Sequence, residues 1–124
     1  MNVLAIRGAT TVTSNNKQEI LDESAKLIQT IIIENLLDVE DIISMCFTMT
    51  SDLDKVYPSV AVREILNICD VPMLNFEEKY IEGSLRMCIR VMMYVNTEKN
   101  KSDIRHIYLN NSKNLRTDIT KDEL

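Results

Sequence analysis

The stretch LRMCIRVMMYV, residues 85–95, constrains this chain more than any other, because an arginine sits at the centre of an otherwise apolar run. Its composition reads as a strand, and strand alternation sorts it into two faces. Leu85, Met87, Ile89, Val91, Met93 and Val95 form one wholly apolar face, expected to meet helices. Arg86, Cys88, Arg90, Met92 and Tyr94 form the other. A guanidinium is effectively always charged, and taking it out of water without a partner costs several kcal/mol. Arg90 therefore needs an anion, although Cys88 and Met92 beside it are apolar. Such a face is neither a solvent face nor a closed core; it suits a subunit contact or a ligand pocket.

The rest of the chain supplies the layers around that strand. NVLAI (2–6) reads as a first strand ending at Arg7-Gly8. From Ser14 to Leu37 the period becomes helical, with Ile20, Leu21, Ala25, Ile28, Ile31, Ile32 and Asn35 recurring on one side. Asn15 with Gln18, or Asn16 with Glu19, resembles a capping box at its start. DIISMCFTMT (41–50) reads as a second strand. Pro58 suits the first turn of a helix, which predicts a short one over 58–66. MLNF (73–76) follows as the third strand, EEKYIEGS (77–84) as a loop, and 85–95 as the fourth strand. A turn over 96–103, a fifth strand over IRHIYL (104–109) and a polar, loosely held tail from Asn110 complete the chain. The order βα, β, α, β, β, β predicts an α+β (mixed α/β) domain: a single mixed five-stranded sheet with one long and one short helix on one face.

A chain of 124 residues is one domain with room for a real core. Its net charge of −5 argues against nucleic acid, whose phosphates reward a basic surface. No apolar run is long enough to span a bilayer, and the N-terminus lacks the basic start and cleavage site of a signal peptide. Cys46, Cys69 and Cys88 are odd in number and far apart, which with the single His106 gives neither a disulfide framework nor a zinc site. Free thiols in a reducing cytoplasm are the expectation. The terminal KDEL matches an ER-retention signal, meaningless in a chain that never enters the secretory route. There is no GxGxxG loop and no internal repeat.

Arg7 repeats the pattern of Arg90 at the end of the first strand, and Tyr108 adds a phenolic donor on the face it shares with His106. In an acidic chain, such arginines suit a small, multiply anionic ligand held by fork-shaped donors. They equally suit internal ion pairs to Asp or Glu, or side chains that snorkel to water. Composition and spacing do not decide between these.

Five motifs in order do. IRGATTV (6–12), YPSVAVRE (57–64), CIRVMMYV (88–95), IRHIYL (104–109) and LRTDI (115–119) together resemble the monofunctional chorismate mutases of the trimeric α/β class, distinct from the all-helical ones. The resemblance runs from the first strand to about Ile119, implying a domain over 1–119 and a flexible tail over 120–124. It implies an isomerase that turns chorismate into prephenate by an intramolecular Claisen rearrangement, in phenylalanine and tyrosine biosynthesis, with no cofactor or metal. Chorismate carries two carboxylates, an enolpyruvyl ether and a hydroxyl, and needs only a held conformer and positive charge at the ether oxygen.

By that resemblance, Arg90 meets the ether oxygen and a carboxylate, Arg7 is the second carboxylate-binding arginine, and Glu78 accepts from the substrate hydroxyl. Tyr108 donates to a carboxylate, and Arg63 stands at the pocket mouth. Tyr57, Met73 and Leu115 are walls, with Arg116 beside the last. Leu74 and Asn75 complete the substrate-binding set; they stand where the family pattern has threonine and cysteine, and Val60 where it has lysine. These departures bear on affinity and positioning. His106 is read as structural, since a pericyclic step asks for no proton transfer. The resemblance also implies a homotrimeric pseudo-barrel with sites at subunit boundaries: Arg7, Arg90, Tyr108 and Leu115 from one chain, Tyr57, Arg63, Asn75 and Glu78 from the next. The rival from another class is a non-catalytic trimeric regulatory protein that keeps the dicarboxylate pocket.

Overall fold

A computed structural model describes residues 1–115. Strands β1 (Asn2–Thr11), β2 (Ile42–Thr50), β3 (Met73–Glu78), β4 (Cys88–Thr97) and β5 (Ile107–Tyr108) form one mixed sheet in the order β3-β2-β4-β1-β5. β4 is central and antiparallel to both β1 and β2, while β3 and β5 run parallel to β2 and β1 at the two edges. Helices α1 (Lys17–Glu34) and α2 (Pro58–Glu64) are the crossovers from β1 to β2 and from β2 to β3. Both connections step the same way across the sheet, so two right-handed crossovers place both helices on one face. The helices share that face and touch through Leu21, Ala25 and Ala61.

The main core lies between that face and the helices. Ile20, Leu27, Ile28 and Ile31 of α1 and Val62 of α2 meet Ile6, Met45, Phe47, Ile89, Val91 and Met93 of the sheet. The apolar set expected on the fourth strand is therefore the core set from Ile89 to Val95. Gly8 lets α1 come this close: a Cβ there would lie 2.8 Å from Ile31 Cδ1, 3.1 Å from Leu27 Cδ1 and 3.2 Å from Val91 Cγ1. Asn16 is the cap of α1, its side chain accepting from the Glu19 backbone N–H at 3.0 Å. The box is half formed, because the Glu19 carboxylate turns to Thr13 and Ser14.

Several boundaries differ from the sequence expectation. β1 runs on through Arg7 and Gly8 to Thr11, since β4 pairs with it along its whole length. β3 takes in Glu77 and Glu78, read as loop, because parallel pairing to Met49 and Thr50 holds them extended. β4 starts at Cys88 and ends at Thr97, not 85 and 95. Met87 adopts a φ of 55°, which breaks the alternation. Met87 still packs on the main core, but Leu85 crosses to the opposite side, against Ala9, Cys88 and Tyr108. Arg86 leaves the Arg90 face as well: its Nε lies 3.4 Å from Asp52 Oδ2 and its guanidinium stacks on Tyr80, 4.9 Å from the ring centre. α2 stops at Glu64, short of Leu66.

β5 is two residues long because the Arg7 N–H, the next ladder donor, goes to His106 Nδ1 at 2.9 Å instead of a strand carbonyl. The chain after it is held more firmly than its polarity suggests. Residues Asn110–Asn114 form a 3-10 turn, with the buried Ser112 hydroxyl on the Ala9 carbonyl at 2.9 Å. Asn110 Nδ2 donates to the Thr11 carbonyl at 2.8 Å and to Glu23. Arg116, the boundary at Ile119 and the tail over 120–124 lie outside the described residues.

Candidate functional site

The sheet face turned away from the helices carries the chemistry. On β4 it presents Cys88, Arg90, Met92 and Tyr94, as alternation requires once the strand starts at Cys88. Ala9 of β1 stands opposite Arg90, Arg7 opposite Met92, and Tyr108 of β5 opposite Ala9. Direct partners in a ladder share a face, so Arg7, Arg90 and Tyr108 come together on neighbouring strands. Ala9 leaves room over the sheet between Arg90 and Tyr108. On the other side of β4, Thr48 is the partner of Arg90, and Glu78 stands opposite Thr50 one strand further out.

Arg90 finds its anion within the same chain. Its Nε lies 3.2 Å from Glu78 Oε2, with both side chains about a quarter exposed. The contact is an ion pair without an aligned hydrogen bond, and the buried Nε–H has no other acceptor among the described residues. The guanidinium thus keeps hydrogen-bonding capacity in hand. Glu78 is oriented by Thr48, whose hydroxyl donates to the same Oε2 at 2.9 Å. Glu78 therefore reaches Arg90 from its own strand β3, which corrects its expected supply by a neighbouring chain. Arg7 makes no ion pair or side-chain hydrogen bond among the described residues.

Below these charges lies a small apolar floor of Ala9, Cys88 and Tyr108, with Leu85 and Leu115 packed against it. Leu115 rests on this floor with its N–H on the Ser112 carbonyl at 3.0 Å. Burial pushes the Cys88 thiol up to about 11, against the opposing pull of the Arg90 charge. It is a neutral wall, not a nucleophile. His106 Nδ1 accepts the Arg7 backbone N–H.

The other candidates stand elsewhere. Tyr57 is exposed at the start of α2 and lines a cavity of about 520 Å³ with Val60, Asn75 and Phe76. Asn75 points to the helix side, where its Nδ2 donates to Ser59 Oγ at 2.8 Å and its Oδ1 accepts the Ser59 N–H at 3.3 Å. Arg63 is exposed in the last turn of α2. Met73 packs on the main core and not beside Arg90. Leu74 is exposed on the open sheet face. One chain thus holds two separated clusters: Arg7, Glu78, Arg90, Tyr108 and Leu115 on the open face, and Tyr57, Val60 and Asn75 around the α2 cavity. Thr48 and Ala9 were not among the expected site residues. A threonine in an alternating strand is a signal only once its partner strand and register are known.

Three comparisons bear on this arrangement. The chain matches the chorismate mutase type I family over residues 3–119. It is 41% identical over 120 residues to the chorismate mutase AroH of Bacillus subtilis (strain 168), covering 97% of this chain and 94% of that protein. Identity to the chorismate mutase AroH of Thermus thermophilus is 33% over 118 residues, or 94% of this chain and 96% of the relative. Among solved structures, a chorismate mutase from Clostridium thermocellum superposes with a TM-score of 0.86 at 46% identity, covering 89% of this chain and 97% of that one.

Proposed function

Because the chain belongs to the chorismate mutase type I family, an isomerase that turns chorismate into prephenate, we propose that Arg7, Arg90, Tyr108 and Glu78 are its substrate-binding and catalytic set. The observation that carries this is the Arg90–Glu78 pair on the open face, with Arg7 and Tyr108 beside it. The reaction breaks the ether C–O bond as a C–C bond forms at the other end of the enolpyruvyl group. No proton moves to or from the protein. The site contributes in two ways: it holds the folded conformer in which the two ends meet, and it opposes the charge gathering on the ether oxygen.

Arg90 supplies that charge. A pair with Glu78 that is close but unaligned leaves its planar fork able to turn to the ether oxygen and a carboxylate. Arg7 takes the second carboxylate, and Tyr108 donates to a carboxylate from the floor. Glu78, held at Oε2 by Thr48, has its other oxygen for the substrate hydroxyl. Leu115 closes the apolar side, with Arg116 following it in the sequence.

The assembly in this reading is a homotrimer, each site completed across a subunit boundary. Val3, Leu74, Phe76 and Tyr94 stand on strands of the open face and are between 37% and 62% exposed, an apolar surface that no helix among the described residues covers. A neighbouring copy seated there would bring Tyr57, Arg63 and Asn75 of one chain toward Arg90 of the next. Three unpaired thiols among the described residues fit a reducing cytoplasm, and the product fits phenylalanine and tyrosine synthesis.

The test is loss of chorismate absorbance on adding purified protein, run beside Arg90→Ala. Losing a donor aimed at the developing oxyanion should cost about 3–4 kcal/mol, or a hundredfold or more in rate. Arg90→Lys should recover only part, since lysine lacks the fork. Activity near the parent level in Arg90→Ala would refute the assignment.

A further inference from the structure

Two groups converge on one oxygen of Glu78: the Thr48 hydroxyl, which donates to it at 2.9 Å, and Arg90 Nε, which lies 3.2 Å from it without an aligned hydrogen bond. Thr48 is also the ladder partner of Arg90, so its hydroxyl stands between the strands that bear the two charges. We infer that Thr48 is a positioning residue for the reaction, holding the Glu78 carboxylate in an orientation that keeps it from closing a two-pronged pair with Arg90. The inference rests on the roles given above to Arg90 and Glu78.

A carboxylate beside a guanidinium settles by preference into two parallel N–H···O bonds. The pair here is not in that state: one oxygen is near Nε, and the bond is unaligned. Thr48 supplies a physical reason. Its hydroxyl takes up a lone pair of Oε2, and its β-branched side chain has few rotamers to wander among. Without that donor, Glu78 can rotate so that both oxygens face the fork. Closure would have two effects on the chemistry. It would neutralise the charge needed at the ether oxygen, and it would occupy the oxygen kept for the substrate hydroxyl.

Thr48→Val keeps shape and β-propensity and removes the donor. A hydrogen bond to a charged group is worth enough that kcat should fall about tenfold or more. Thr48→Ala should fall by a similar factor and Thr48→Ser should stay near the parent. In a Glu78→Ala background Thr48→Val should have no further effect. Thr48→Val with parental kcat, while Arg90→Ala is inactive, overturns the role of Thr48 alone. Thr48→Ser as poor as Thr48→Val makes shape and not the hydroxyl responsible, which also overturns it. An active Arg90→Ala overturns the site assignment beneath it.

Discussion

Arg90 and Glu78 lie on strands separated by β2, yet their side chains meet at 3.2 Å across the top of Thr48. Two groups in such contact do not act independently, and their substitutions should not add. Glu78→Ala removes an acceptor but also frees Arg90. The double variant Arg90→Ala/Glu78→Ala should therefore lose less in kcat/KM than the sum of the single losses, with a coupling of about 0.5–3 kcal/mol. Simple additivity in that cycle would mean that the contact has no bearing on catalysis.

Leu115 rests on the floor formed by Ala9, Cys88 and Tyr108. Its side chain is apolar, so it should contribute to holding substrate more than to the transition state. Leu115→Ala, or removal of the chain from Leu115 onward, should raise KM several-fold with kcat changed by less than about twofold, the pattern of lost uniform binding. An unchanged KM in the truncated protein would show that this segment does not close the site.

Gly8 sets how closely α1 approaches the strand that carries Arg7. Replacing a glycine by alanine in extended backbone ordinarily gains about 0.4–1 kcal/mol by restricting the unfolded chain. Here the added methyl would meet Ile31, Leu27 and Val91 at 2.8 to 3.2 Å, all three of them buried. Overpacking of that kind costs about 1–3 kcal/mol, so the loss should win. Gly8→Ala should unfold at lower denaturant concentration than the parent. Equal or higher stability would mean that the Ile31 and Leu27 side chains can turn aside.

The sequence was legible where burial imposes a period. The long helix, the apolar face from Ile89 to Val95 and the isolation of Arg90 on the other face all follow from spacing. What it could not carry was pairing. Glu78 reads as a loop charge until β3 is laid parallel to β2, and Thr48 reads as an ordinary strand threonine until it stands opposite Arg90. Leu85 and Arg86 were misplaced for a local reason, since nothing in their composition announces the positive φ at Met87. That turn is fixed from a distance by Asp52, which accepts the Met87 N–H at 2.9 Å. Asn35 is a similar case: it counts as a helix position by spacing, but its amide pairs with the backbone of Arg105, accepting at 2.8 Å and donating at 2.9 Å.

Cys88 gives the fold a dependence on alkaline pH. Its thiol is buried, and burial raises it from an ordinary 9 to about 11 even with the Arg90 charge nearby. Between those values the unfolded chain releases the proton while the folded one keeps it. The folded state then binds more protons, so stability must fall as pH rises. The fall should begin near pH 9 and level off near 11, amounting to at most about 3 kcal/mol for a shift of this size. The informative quantity is a difference between the parent and a variant that lacks this thiol. Denaturation midpoints of the parent and of Cys88→Ala, measured from pH 8 to 11, should converge as pH rises, because only the parent carries the Cys88 penalty. Parallel curves would mean that the thiol ionises in the fold as readily as in the open chain.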